Sequence, residues 1–165
     1  MALSFQIKKE FQSITGFELP DRETNFLSDG MERKDMVFEN ISRLCFDKPV
    51  KAKLLGKKIK NWLALAPDSE ELLGLAGFLC YIDEDFAGAE RYFLAAIVEN
   101  PDNYDSWRDL AFAWRHNKKK ELSKVLIFNF PIAMYYYKRL GIGADKKKLE
   151  KLIREIQKKT DEAGK

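Results

Sequence analysis

The two cysteines and the single histidine are the residues of this 165-residue chain best suited to nucleophilic or metal chemistry. Cys45 and Cys80 are far apart and form no CxxC motif, and His116 has no second histidine to join it, so zinc, redox and Ser-His-Asp arrangements lack partners. No glycine-rich phosphate loop follows a strand-like segment. Both cysteines fall within apolar helical patterns, which favours core packing. The sequence therefore predicts a protein that is not an enzyme and uses no cofactor or metal.

Composition and apolar runs set the broad class of the chain. With 45% hydrophobic and 33% charged residues, it has the balance of a folded globular protein. Lys8, Lys9 and Glu10 interrupt the segment where a secretory signal needs an apolar stretch. The longest apolar run, residues 125–137, covers 13 residues and contains Asn129, whereas a membrane helix needs about 20. We expect a cytoplasmic protein without membrane contact.

A dipeptide that recurs at a fixed interval indicates the architecture. Pro67-Asp68 returns as Pro101-Asp102, 34 residues later, and 34 residues is the period of a helix-turn-helix repeat. Other residues match the spacings of that unit, and we predict that they form its core: Leu73, Ala76, Gly77, Cys80, Ala89, Phe93 and Pro101, then Trp107, Leu110, Ala111 and Trp114 in the next unit.

Each of these positions has a physical reason. Large residues one helical turn apart form the inner stripe of the first helix, while Ala76, Gly77 and Ala111 allow the second helix to approach closely. Pro101 ends a helix because the residue before a proline is driven out of the α region. Asp102 or Asn103 can then cap the next helix. The turn recurs because each helix pair restarts at the same angle.

These spacings resemble those of the tetratricopeptide repeat over residues 70–103 and again from 104 to about 128. The second unit departs from the pattern, since Ser123, Ile127 and Phe130 stand where alanine, phenylalanine and alanine are expected. One period before Ala89, Phe93 and Ala96 lie Leu55, Ile59 and Trp62, so residues 49–66 resemble the second helix of a degenerate first unit. The resemblance implies an all-α fold, a short solenoid of helical hairpins.

The rest of the chain also has helical patterns, so we predict one all-helical domain over residues 1–165. It comprises an N-terminal extension (1–33), about three repeats (34–140) and a terminal amphipathic helix (144–165). Residues 28–30 look like a turn, residues 18–26 like a loop, Pro131 should break a helix and Gly141 should end one. The apolar stripes are Leu3, Ile7, Phe11 and Ile14, ending at Gly16; Met36 or Val37, Ile41, Leu44 and Cys45; and Leu149, Leu152, Ile153 and Ile156.

The helix after Pro67 has a second apolar side, opposite its core stripe. Such a face is either covered by neighbouring helices or offered to a partner. The resemblance implies a groove along the first helices of the repeats that binds a protein or peptide. We predict that this groove is lined by Leu75, Phe78, Ile82, Asp109, Phe112 and Arg115. Members that bind the carboxylate terminus of chaperones use a clamp of lysine, asparagine and arginine, which is not matched here because Gly74, Phe78 and Asp109 occupy the lining positions.

Charge is unevenly distributed along the chain. Residues 66–116 have a net charge of −8 and residues 117–165 a net charge of +8. The basic region is consistent either with contact to nucleic acid or an acidic partner, or with a solvated helix face whose acids and lysines pair.

Tyr135, Tyr136 and Tyr137 must point in three directions around a helix, so some are exposed and could support self-association.

Two function hypotheses follow. The first is a non-catalytic interaction module, an adaptor or chaperone-like protein that binds a partner in the repeat groove. The alternative is an assembly scaffold that contacts nucleic acid or an acidic partner through the basic C-terminal region. We expect the terminal helix to dock on the last repeat as a cap and to leave its lysine face exposed.

Overall fold

The computed structural model describes residues 3–19, 28–116 and 119–164, with the backbone alone for residues 28–36 and Phe130. Within these residues the chain is all α-helical and has no strand, which confirms the predicted fold class. The helices are α1 (Phe5–Thr15), α2 (Ser28–Asp47), α3 (Pro49–Leu65), α4 (Glu70–Ile82), α5 (Phe86–Glu99), α6 (Tyr104–His116), α7 (Lys120–Phe128), α8 (Phe130–Leu140) and α9 (Lys146–Ala163).

Helix boundaries recur with the period that the sequence indicates. Helices α4 and α6 have the same length, and their first residues, Glu70 and Tyr104, are one period apart. The last residues of α3 and α5 are also one period apart. Both turns are capped from the same relative position: the Ser69 hydroxyl accepts from the Leu72 N–H at 3.3 Å, and Asn103 Oδ1 accepts from the Asp105 N–H at 3.0 Å. The cap at Asn103 agrees with the sequence prediction.

The predicted core positions are buried around the closest helix pair, α4 and α5. Gly77 faces the ring of Phe93, and a Cβ atom at position 77 would overlap that ring. Trp107, Leu110 and Ala111 are fully buried in α6. Of the eleven predicted core residues, only Cys80 and Pro101 are half-buried. The small residue at 77 thus sets how closely the two helices approach.

The N-terminal helix packs on α3 and ends at Gly16, as predicted. Trp62 Nε1 donates to Glu10 Oε2 at 3.2 Å, and Lys58 Nζ lies 3.7 Å from the same oxygen. Hydrogen bonds from Gln6 and Trp62 lower the pKa of the Glu10 carboxyl. These polar contacts fix the register of α1 on α3, where Trp62 is buried as expected.

The prediction of a turn at residues 28–30 is wrong. These residues are the first residues of α2 and not a turn before it. Gly30 is compatible with a helix because a glycine there lowers helix stability by only about 1 kcal/mol relative to alanine. Most of the loop predicted over residues 18–26 lies outside the described residues.

The helix breaks near Pro131 and ends at Gly141, as predicted. Helix α7 ends at Phe128, Pro131 lies in the first turn of α8, and Gly141 ends α8 with φ +59°. Tyr135 is exposed, whereas Tyr137 is buried against Trp107 with ring centroids 5.2 Å apart. The Tyr137 hydroxyl donates to the Gly143 carbonyl at 2.7 Å. The three tyrosines therefore do point in different directions.

Helix α9 docks on α7 and α8 through its apolar stripe, all four members of which are buried. A buried carboxylate adds a polar anchor. Glu90 of α5 is 2% exposed, and its Oε1 lies 2.6 Å from Lys146 Nζ and 3.4 Å from Lys119 Nζ. Lys119 also pairs with Glu150 of α9. The lysine face is thus not wholly free: Lys147 and Lys148 are exposed, but Lys146 is paired with Glu90.

None of the helices within the described residues combines the length and apolar character that crossing a bilayer requires. This agrees with the absence of a long apolar run from the sequence.

Substitution of Gly77 by alanine should destabilise the protein by about 1–3 kcal/mol, because the added methyl group overlaps the Phe93 ring. Gly56→Ala is the matched control. Its Cβ would meet only Leu79 Cδ1, at 3.9 Å, so it should stabilise α3 by about 0.5–1 kcal/mol through lower backbone entropy. Urea unfolding followed by circular dichroism measures both changes. Equal effects of the two substitutions would contradict the close contact at Gly77.

Glu90→Gln should lower the free energy of unfolding by about 1–3 kcal/mol, because two ammonium groups lose their buried carboxylate. Pairing with Glu90 raises the pKa of Lys146. The stabilisation from Lys146 is therefore present below the ordinary lysine pKa and is lost as pH rises through the raised value. The control is Glu155→Gln on the exposed face of α9. Similar unfolding midpoints for both variants would show that Glu90 does not anchor α9.

Candidate functional site

A pocket of about 190 Å³ lies where α2, α4, α5 and α6 meet. We call it the aromatic pocket. Its walls are mostly aromatic rings, and its remaining lining groups are two guanidinium groups and one carboxylate. The lining residues are Phe38, Phe78, Tyr81, Phe93, Arg108, Asp109, Phe112 and Arg115.

The aromatic walls hold one another through edge-to-face contacts. Phe78 lies with its ring centroid 5.4 Å from Phe38 and 5.8 Å from Phe93. Tyr81, one helical turn after Phe78 on α4, lies 5.8 Å from Phe38. Such geometry is favourable because the positive edge of one ring meets the negative face of another. The pocket is therefore preformed by rings from three helices.

Charged groups lie at two depths in this pocket. Arg108 and Asp109 are buried, with Arg108 Nε 4.0 Å from Asp109 Oδ1, and Arg108 Nη2 lies 3.9 Å from Asp105 Oδ1. Arg115, two turns further along α6, is exposed. Burial raises the pKa of the Tyr81 hydroxyl, and the nearby charge of Arg115 partly opposes this rise. The floor is thus close to neutral and the rim is positive.

His116 packs with the aromatic residues beside the pocket. Its ring stacks on Phe86 with centroids 4.9 Å apart and meets Tyr81 edge to face at 5.5 Å.

Across the residues that the structure describes, no three histidine, cysteine or acidic side chains cluster as a metal site. Burial is the main cause that raises the thiol pKa of both Cys45 and Cys80. Raised thiol pKa values disfavour the reactive thiolate form.

The structure brings together four of the six predicted groove residues: Phe78, Asp109, Phe112 and Arg115 all line the aromatic pocket. The other two lie elsewhere. Leu75 is 2% exposed and belongs to the hydrophobic core. Ile82 lines a different cavity, between α3 and α4. The second apolar side of α4 is therefore partly covered and partly open.

Sequence reasoning missed four lining residues. Tyr81 follows Phe78 by one helical turn and so shares its helix face, a signal that could have found it. Arg108 directly precedes the predicted Asp109, and Phe93 is a predicted core residue that also reaches the pocket. No local signal marks Phe38, since its contact with Phe78 joins two helices that are not consecutive in the chain.

Comparison of this chain with protein-family models, with curated proteins and with solved structures finds no match. The geometry of the pocket is therefore the basis for what the site can do. An apolar cavity of about 150 Å³ is large enough for benzene. The aromatic pocket can thus hold one aromatic or large aliphatic group, while Arg115 at its rim favours a neighbouring negative charge.

Phe78 and Phe112 should differ in their effects on stability, although both line the pocket. Phe78 is 5% exposed and Phe112 is 39% exposed. Phe78→Ala removes a ring from the core and should cost about 3–5 kcal/mol. Phe112→Ala should cost roughly 1 kcal/mol, because much of its ring already contacts water. Thermal unfolding of the two single variants checks this, and equal losses would contradict the different depths of the two rings.

Proposed function

We propose that this protein is a non-catalytic interaction module with tetratricopeptide-like architecture, and that it binds a partner protein by accepting one apolar side chain in the aromatic pocket. The single observation that supports this proposal is the pocket itself. Phe78, Asp109, Phe112 and Arg115 are predicted from the sequence as partner-binding residues, and they line one preformed cavity. The regular recurrence of helix boundaries supports the repeat architecture.

The lining groups define the partner sequence that would fit. The ring walls favour a phenylalanine, tyrosine, leucine or methionine anchor, since apolar burial and ring contacts dominate binding at such sites. Asp109 lies close to Arg108, so the floor presents little net charge to the anchor. Arg115 is exposed at the rim and can pair with an acidic residue next to the anchor. The proposed target is a peptide segment with an apolar anchor and an adjacent acid.

Selection from a random peptide display library tests this function and needs no candidate partner. We expect enriched peptides to share the apolar anchor and the adjacent acid, and to bind with one site per chain. The double variant Phe112→Ala with Arg115→Ala should weaken binding at least tenfold while leaving helicity unchanged. Phe128→Ala is the matched control, because Phe128 is 83% exposed on α7 and away from the pocket.

The salt dependence of binding separates this function from the alternative scaffold function of the basic C-terminal region. Binding through an apolar anchor should weaken only modestly between low and high salt, because one rim ion pair is screened. A steep fall, together with loss of binding after neutralisation of Lys147, Lys148 and Lys151, would indicate counterion release from a polyanion. That outcome, or unchanged binding by the Phe112 and Arg115 double variant, would overturn the proposed function.

A further inference from the structure

A second and larger cavity of about 620 Å³ lies between α3 and α4, on another side of α4 from the aromatic pocket. We call it the slot. Its volume lies within the range of sites that bind small molecules, roughly 300–1,000 Å³. Most of its walls come from α3 and α4, and α2 and α5 contribute one residue each: Cys45, Pro49, Ala52, Lys53, Gly56, Lys57, Ile59, Lys60, Ala76, Leu79, Cys80, Ile82, Asp83 and Tyr92.

Comparison of the two successive repeats explains why the slot is open. With a shift of one repeat period, Ala76 of α4 corresponds to Leu110 of α6, and Cys80 corresponds to Trp114. Leu110 and Trp114 are larger residues, and they are 0% and 1% exposed. At the corresponding positions, the smaller side chains of Ala76 and Cys80 line the slot between α3 and α4. The slot is therefore a consequence of residue size at two defined positions.

One wall of the slot is a row of positive charges. Lys53, Lys57 and Lys60 follow one another at intervals of four and three residues along α3, so they lie on one face of the helix. All three are exposed, and none of them forms an ion pair with another described residue. Asp83 is the single acid in the lining, and it lies near Cys45, whose thiol pKa its charge helps to raise. The slot thus combines an apolar floor with a net positive rim.

The shape of the slot limits what can enter it. Along α3 it extends from Pro49 to Lys60, about 16 Å at the helical rise per residue. A groove of this length accommodates an elongated ligand.

An extended peptide is a poor occupant of the slot. The backbone groups of the α3 and α4 walls are used within their own helices, so they cannot pair with the N–H and C=O groups of an inserted strand. Leaving those peptide groups unpaired in an apolar environment is costly. A saturated alkyl chain has no such groups and matches an apolar slot.

We propose that the slot binds a single-chain anionic amphiphile, specifically a long-chain carboxylic acid, with its alkyl chain between α3 and α4 and its carboxylate beside Lys53, Lys57 and Lys60. This binding site is separate from the aromatic pocket and does not depend on the proposed partner binding. Acids with longer chains should bind more tightly, since each methylene buried strengthens binding by roughly fourfold. The gain should stop once the chain is longer than the slot.

Calorimetric titration of the full chain with octanoate, dodecanoate and acetate, each below its micelle concentration, tests the class of ligand. We expect one dodecanoate per chain, weaker binding of octanoate and none of acetate. Dodecanol serves as the uncharged probe with the same alkyl chain, and it should bind at least tenfold more weakly than dodecanoate. Absence of dodecanoate binding, or equal binding of dodecanol, would overturn the proposal.

Filling the slot from within tests its location. Cys80→Trp introduces the larger residue that stands at the corresponding position, Trp114, so it should abolish dodecanoate binding without lowering the unfolding temperature. Ala76→Leu reproduces Leu110 in the same way and gives an independent variant should the tryptophan disturb folding. Retention of full affinity in a folded variant of either kind would place the ligand elsewhere and overturn the proposal.

The lysine row is tested by charge neutralisation. Changing Lys53, Lys57 and Lys60 together to glutamine should weaken dodecanoate binding about tenfold and leave dodecanol binding unchanged. The matched control changes three exposed lysines of α9 to glutamine, namely Lys147, Lys151 and Lys158, which alters the net charge equally. Equal effects of the two triple variants would show that dodecanoate affinity depends only on the net charge of the protein. That result would overturn the assignment of the carboxylate to α3.

The alkylation rates of the two cysteines test the location of the ligand in the unmodified protein. The chain has two cysteines, Cys45 and Cys80, and both line the slot. Bound dodecanoate should therefore slow alkylation of both thiols by iodoacetamide at alkaline pH, as measured by intact mass, whereas acetate should not. Unchanged alkylation rates at saturating dodecanoate would contradict binding in the slot.

Discussion

The contact between Gly77 and the Phe93 ring is the constraint on which the rest of the structure depends. Because position 77 has no side chain, α5 approaches α4 closely enough for Phe93 to fill the space between them. The same ring then contacts Phe78 and lines the aromatic pocket. One packing contact in the core therefore also fixes a wall of the candidate site. A larger residue at position 77 would displace both the α4–α5 contact and this wall of the aromatic pocket.

Helices α4 and α6 have matching boundaries but different side chains at corresponding positions. They share length, cap position and spacing, yet Trp114 is buried, whereas Cys80, one period earlier, lines a cavity. Matching helix boundaries therefore do not give matching packing, because side-chain size differs at corresponding positions.

The opposed charges of the central and C-terminal segments have a structural use. Glu90, in the acidic segment, is buried and pairs with Lys119 and Lys146 from the basic segment. A buried carboxylate needs such partners, since an uncompensated charge in the core is strongly destabilising. Part of the basic charge is therefore used to hold α9 on the last helices, and the remainder, such as Lys147 and Lys148, faces solvent.

The sequence by itself determined the helical class, the repeat period, the residues at the Gly77 contact and the apolar stripe of α9, because each of these depends on spacing within one or two helices. It also marked four lining residues of the aromatic pocket, which share faces of α4 and α6. Only the tertiary structure decided that Phe38 completes this pocket, that Leu75 is covered, and that Glu90 binds Lys146. These contacts join residues far apart in the chain, and their geometry depends on how whole helices pack, which no local spacing encodes.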